Sequence, residues 1–289
     1  GRLREEAARA LGLEADILVS SGGGDNMMGA LGTGNVTPGV ATVSLGTSGT
    51  IYAYSREAVF DPAGEVTTFC GSSGGWLPLL CTMNVTRSTS VVGELFDLGV
   101  ESFNDLAQEV PAGSGGLMLI PYLAGERTPD VADGTGVWFG YRDETNAPKY
   151  FARAAMEGAT LGLGYGWSRL KEMGLLFEAV RLTGGGSRSE LWRQIVADVL
   201  ECPVVCTTEA EGAALGAAMQ AYWTYSLEAE GEASLEEIAS RWIELDESSR
   251  REPSKDSAIY AELQELHNKV SRALRTSFSR HRELIGKLG

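Results

Sequence analysis

The 289-residue chain is short of histidine, cysteine and basic charge, and each shortage removes a class of function. Its two histidines, His267 and His281, lie far along a polar C-terminal stretch. They leave no imidazole for a hydrolase built on the formal G-x-S-x-G at Gly71 to Gly75, which runs straight into Trp76, Leu77 and Pro78. Four cysteines, Cys70, Cys81, Cys202 and Cys206, are too sparse for a disulfide framework in a chain of this length. The CPVVC pair has no second cysteine or histidine cluster, so buried thiols in a reducing compartment, the cytoplasm, are expected and a zinc site is not. With 24 Lys and Arg against 39 Asp and Glu, a net charge of −15 argues against nucleic acid as partner. No apolar run approaches the length of a bilayer span, so no membrane partner is expected.

Two phosphate-binding signatures are also missing. The Gly-Lys of a Walker A loop occurs only at Gly286-Lys287, where Leu288 follows in place of Ser or Thr. GALGTG (Gly29 to Gly34) and TGGGSR (Thr183 to Arg188) both miss the G-x-G-x-x-G spacing of a dinucleotide site.

What is present is an alternation of strand-like and helical segments. Residues 4–12 read as a helix and Ile17 to Ser21 as a short strand feeding a glycine run. GVATVSLGTSGTIYAYS reads as two strands around a Gly-Thr-Ser-Gly turn. The segment from Leu77 to Leu98 is compatible with a helix, GLMLIP and GVWFGY with strands, and residues 149–173 with a long helix. That helix carries Gly158, Gly162 and Gly166 on one stripe, each costing about 1 kcal/mol in a helix interior, so the spacing predicts close packing of a neighbour there. A strand, three glycines and a helix follow, then another strand and a small-residue helix. From Glu228 onward the sequence reads as charged and helical, with Pro253 dividing two helices. The pattern predicts an α/β domain with a C-terminal helical tail.

Three motifs carry candidate chemistry. In SSGGGDN, Asp25 follows three glycines at the mouth of a helix, where it can serve as a cap or as a catalytic carboxylate. In SLGTSGT, Gly46 and Gly49 allow backbone N–H groups of the turn to converge on an anion, with Thr47 and Ser48 adding hydroxyl donors. In LTGGGSRSELW, a strand ending in glycines at a helix start can hold a flat ligand against the backbone, or can be a tight turn capped by Ser187 or Ser189.

The order GGGDN, SLGTSGT, PYLAGERTP, GVWFGYRDETNAPKYFARAAMEG, LTGGGSRSELWRQIVADVL and EAEGAALGAAM resembles the FGGY carbohydrate kinases, nearest to the branch acting on xylulose. Gly136, Trp138, Gly140, Phe151, Ala154 and Glu157 fit the family signature, while Tyr141 and Tyr150 replace its usual aliphatic and polar residues. The resemblance implies an actin-like, ribonuclease-H-like ATPase fold, with a mixed sheet flanked by helices. Residues 1–37 would end a first, sugar-binding domain, 38–228 would form the ATP-binding domain, and 229–289 a helical segment. It further implies Asp25 as catalytic base and Asn26 as sugar ligand. Gly46 and Thr47 would meet the terminal phosphates of ATP, with Gly184, Gly185, Gly186 and Ser189 beside the adenosine. Related kinases place an amide where Ser189 stands.

Mg²⁺ would bridge the phosphates, with no ligand assignable in this chain. The reaction implied is transfer of the ATP γ-phosphate to a ketose, D-xylulose before ribulose, gluconate, fuculose or glycerol. A non-catalytic ATP-binding module is the contrasting reading, and a homodimer is compatible with either. Nothing in the chain matches the phosphate loop or most of the sugar pocket of the family's first domain, and residue 1 is not methionine, so a preceding segment is expected and the isolated chain is expected to be inactive.

Overall fold

The computed structural model describes residues 1–288. Its elements in chain order are α1 (Glu5–Leu11), α2 (Asp25–Gly32), β1 (Gly39–Leu45), β2 (Gly49–Ala53), β3 (Thr67–Cys70), β4 (Trp76–Thr82), α3 (Thr86–Phe96), α4 (Val100–Gln108), β5 (Met118–Pro121) and β6 (Gly136–Phe139). They continue with α5 (Pro148–Glu172), β7 (Phe177–Thr183), α6 (Glu190–Leu200), β8 (Val204–Thr207), α7 (Gly212–Glu230), α8 (Leu235–Trp242), β9 (Leu245–Arg251) and α9 (Ser257–Leu288).

A seven-stranded mixed sheet in the order β3-β4-β2-β1-β7-β8-β9 organises the molecule, and β5 and β6 form a separate antiparallel pair. β1 lies between an antiparallel partner, β2, and a parallel one, β7. Strand alternation assigns the two sheet faces. Ala41, Val43, Leu45, Ile51, Leu80, Val180 and Leu182 point into the main core with Ala155, Met156, Ala159 and Leu163 of α5 and Trp192 and Ile195 of α6. On the opposite face, Tyr52, Leu77, Leu79 and Cys81 pack with Met27 and Ala30 of α2, and Met28 and Leu31 of α2 meet Leu215 and Met219 of α7.

The hairpin expected around Gly46 to Gly49 is present, with Leu45 opposite Gly49. Three expectations are corrected. Ile17 to Ser21 forms no strand: Leu18 makes one isolated bridge with Arg2, and the exposed Ile17 and Val19 have no sheet to join. The first part of Leu77 to Leu98 is β4, with the helix beginning only at Thr86. The apolar run is buried in the sheet, and its pairing with β2 stops at Leu79, one residue short of Pro78, which has no N–H to offer. Beyond Glu228 the sequence contributes β9 as well as helices, so Pro253 divides a strand from a helix. LDESSRR carries no helical or apolar signal because β9 is a polar sheet edge.

The glycine stripe of α5 packs as expected at two of its three positions. A Cβ on Gly158 would overlap the Leu119 carbonyl oxygen and one on Gly166 would lie 2.6 Å from Leu80 Cδ1, whereas Gly162 faces open space. Among the described residues no helix is long and apolar enough to cross a membrane.

Candidate active site

The tip of the β1–β2 hairpin is the three-residue turn Gly46 to Ser48, with Thr47 and Ser48 exposed. Its carbonyls are turned inward. The Thr86 N–H donates to the Gly46 oxygen at 2.9 Å and the Val85 N–H to the Thr47 oxygen at 3.0 Å. A trans peptide points its N–H opposite to its C=O, so fixing these two carbonyls aims the N–H groups of Thr47 and Ser48 away from the protein together. Neither donates to a protein acceptor among the described residues, which is the arrangement of an anion-binding nest.

The parallel pairing of β1 with β7 sets Ser44 opposite Thr183, so the loop after β7 leaves from the same end of the sheet as the hairpin turn. Gly184 has φ +85°, and a Cβ on it would sit 2.7 Å from the Leu45 carbonyl carbon and oxygen. The two glycine loops therefore touch, and only a residue without a side chain permits it. The reading of Ser189 as a cap holds: its Oγ accepts the Trp192 N–H at 3.2 Å at the start of α6, and donates to Asn104 Oδ1. Gly185, Gly186 and Ser189 line a cleft of about 1050 Å³ with Asn104, Gln108 and Met156. That volume accommodates a nucleoside, and Thr86, which holds the Gly46 carbonyl, lines the same cleft. Asn104 places an amide beside Ser189. Sequence reading missed it because it sits on α4, far from the glycine motif.

Asp25 is the first residue of α2, and Gly24 occupies the cap position. Its Oδ1 accepts the Asn26 N–H at 2.8 Å and Asn26 Nδ2 at 3.4 Å, while the residue is exposed and Oδ2 has no protein partner among the described residues. Downstream, Asn35 ties the far end of β2, donating to the Tyr52 oxygen and accepting the Tyr54 N–H, and Gly29 lies against the Tyr52 hydroxyl. Just before α2, Gly23 lies against the Ser72 hydroxyl of the β3–β4 turn, so α2 lies across the face made by β2 and β4, with Asp25 at its start. Burial pushes the Tyr52 phenol and the Cys81 thiol up, and the Asp25 carboxylate adds to both shifts, while Arg127 opposes the shift of Cys81. Asp25, Arg127, Tyr52 and Cys81 therefore share one neighbourhood.

The structure brings Gly46, Thr47, Gly184, Gly185, Gly186 and Ser189 together at the ends of the parallel strands. It sets Asp25 and Asn26 on the other sheet face. The expected burial of thiols holds in full for Cys202 only, pushed up to about 11 by burial; Cys81 and Cys206 are half-buried and Cys70 is exposed. Among the described residues no group of three or more His, Cys, Asp or Glu is placed to hold a metal ion.

Residues 41–225 match the FGGY family of carbohydrate kinases, C-terminal domain. A protein named xylulose kinase from Haemophilus influenzae is 42% identical over 254 residues, covering 88% of this chain and 50% of the relative. The chain thus spans about half the length of the curated relatives it matches. A ligand-bound xylulose kinase structure from Lactobacillus acidophilus superposes with a TM-score of 0.88 at 26% identity, covering 96% of this chain and 56% of that one. A gluconate kinase structure from the same organism superposes at 0.87 and 25%, with the same coverage.

Proposed function

The chain belongs to the FGGY family of carbohydrate kinases, and from that premise we propose that it is the nucleotide-binding portion of a cytoplasmic xylulose kinase. The observation that carries this reading is the paired loop geometry. Two outward N–H groups at Thr47 and Ser48 sit beside a glycine loop that abuts Leu45 and opens into a nucleoside-sized cleft. The polyphosphate would lie on the turn and the adenosine along Gly185, Gly186 and Ser189. We assign residues 1–37 to the end of the sugar-binding domain, 38–228 to the nucleotide domain and 229–289 to its C-terminal extension.

A sugar hydroxyl is too weak an acid to ionise beforehand, so a carboxylate must orient it and take its proton as transfer proceeds. Asp25 suits this role, because one of its oxygens orders Asn26 and the other is free. Asn26 would hold the sugar. As the hydroxyl oxygen bonds to the γ-phosphorus, the bond to ADP breaks and the proton passes to Asp25. Mg²⁺ would supply charge neutralisation on the phosphates, held through them and through water. A module that only bound ATP would need neither the free carboxylate oxygen nor the adjacent amide.

The fold does not separate sugars, since the gluconate and xylulose kinase structures superpose almost equally well. The test is ADP release by the complete protein with xylulose, ribulose, gluconate and glycerol, alongside Asp25→Asn. Xylulose is expected to stimulate turnover most, and the substitution to lower kcat by about 10³-fold while ATP still binds. Full activity of the variant, or stimulation by none of the sugars, rejects the reading.

A further inference from the structure

We propose that Glu126 is a positioning residue: its buried carboxylate, clamped with Asn84, sets the Gly46 to Ser48 turn in its phosphate-binding shape. The inference rests on the reading of that turn as a phosphate site and deepens it.

Glu126 is 4% exposed, in the loop after β5, and it has no cationic partner among the described ion pairs. Every donor it receives is neutral. Its Oε1 accepts the Met83 N–H at 2.6 Å and the Arg127 N–H at 2.8 Å, and its Oε2 accepts Asn84 Nδ2 at 3.0 Å. The same Asn84 amide donates to the Gly125 oxygen at 2.8 Å, closing the loop against the turn between β4 and α3. Burial raises the carboxyl above its ordinary range, and the hydrogen bonds only partly offset this. A buried acid without a cation is costly, so a fold that needed only a lid on this loop would be served better by an apolar side chain.

The clamp leads directly to the site. Met83 and Asn84 are followed at once by Val85 and Thr86, whose N–H groups hold the two carbonyls of the phosphate turn. Asn84 is buried, and its carbonyl accepts the Ser88 hydroxyl at 2.8 Å, so the clamp also fixes the first turn of α3. Moving Met83 and Asn84 would release the Gly46 and Thr47 carbonyls and let the outward N–H groups rotate. On its other side Glu126 orders the backbone of Arg127, whose exposed side chain shares the Cys81 neighbourhood with Asp25. One carboxylate therefore ties the turn between β4 and α3 to the loop after β5.

Glu126→Gln offers an amide where Asn84 already presents one, setting donor against donor while keeping shape. The measurement is calorimetric affinity of the 289-residue chain for ATP and for adenosine, with thermal unfolding recorded for each variant. The expected result is about tenfold weaker ATP binding, as for loss of a hydrogen bond to a charged group, with a clearly smaller loss of adenosine affinity. If Glu126→Gln does not fold, Asn84→Ala releases the clamp from its neutral side and should give the same selective loss. Equal weakening of both ligands, or of neither, overturns the proposal. A wild-type chain that binds adenosine but gains nothing from the phosphates also overturns it, together with the assignment of the turn; one that binds neither ligand rejects the nucleotide reading as a whole.

Discussion

The region beneath α5 and α9 and the end of the sheet at Gly46 and Gly184 treat polar groups in opposite ways. At the first, Glu157 is 3% exposed and fully matched. Arg153 Nε donates to its Oε1 at 2.7 Å, joined by the Tyr260 hydroxyl at 2.8 Å and the Gly113 N–H at 3.0 Å, and Ser114 Oγ donates to Oε2 at 2.6 Å. Charge meets charge, and α5, α9 and the loop before β5 are tied at one point. At the second, the Thr47 and Ser48 N–H groups have no acceptor among the described residues. Satisfied polar groups hold a shape, while unsatisfied ones at a mobile-ligand site are free to bind. Glu126 stands between the two regimes, buried like Glu157 yet without a cation.

Breaking the first region should cost the most stability and the least specificity. Glu157→Ala leaves Arg153 buried and unpaired, so unfolding free energy is expected to fall by about 3–5 kcal/mol. The ratio of ATP to adenosine affinity should stay unchanged, which separates Glu157 from Glu126. A changed ratio would show that the α5–α9 junction reaches the Gly46 to Ser48 turn and would erase the contrast.

His267 is the exception that sharpens the comparison on the scaffold side. It is 1% exposed, both ring nitrogens lack partners among the described residues, and its ring stands edge-on to Tyr122. Burial lowers it to about 4. The unfolded chain therefore takes up this proton at higher pH than the folded one. The stability tied to the neutral ring is complete above about pH 6.5 and declines as pH falls toward 4, by about 3 kcal/mol in all. Denaturant unfolding across that interval should show the loss, and His267→Leu should flatten it. An unchanged slope in the variant would assign the acid sensitivity to carboxylates elsewhere.

The smallest effect belongs to Ser189, which serves both regions as helix cap and cleft wall. Ser189→Ala removes the cap of α6 and should cost about 1 kcal/mol of stability. Adenosine affinity should fall modestly, because Asn104 loses its hydroxyl partner. A stability loss without any change in adenosine binding would make Ser189 a cap alone.

Much of this molecule was legible in the chain. The β-branched runs around Gly46 to Gly49 specify a hairpin, and the apolar run before Gly184 specifies a strand entering a turn. The small residues of α5 specify a helix that a neighbour approaches closely. Each of these signals lies within a few consecutive residues, where backbone preference and burial period agree. The failures share a cause as well. WLPLLCT is a continuous apolar run that fits either a buried strand or a helix, and only its pairing with β2 and β3 decides between them. LDESSRR has no hydrophobic period to read, because an edge strand is defined by the sheet it joins. The sequence order alone identified the family, since a series of individually weak motifs in fixed succession is specific.

The site divides along the same line. Sequence singled out the candidates: Asp25 behind three glycines, Thr47 in a turn, Gly184 at a strand end. Only the tertiary structure decided which of them meet. Parallel pairing of β1 with β7 brings Gly184 against Leu45, and burial of a loop after β5 carries Glu126 to Met83 and Asn84. Local conformation follows from the sterics and hydrogen bonding of neighbouring residues. Contacts between distant segments form only when the burial of a common core offsets the entropy of closing long loops, and that balance belongs to the whole chain.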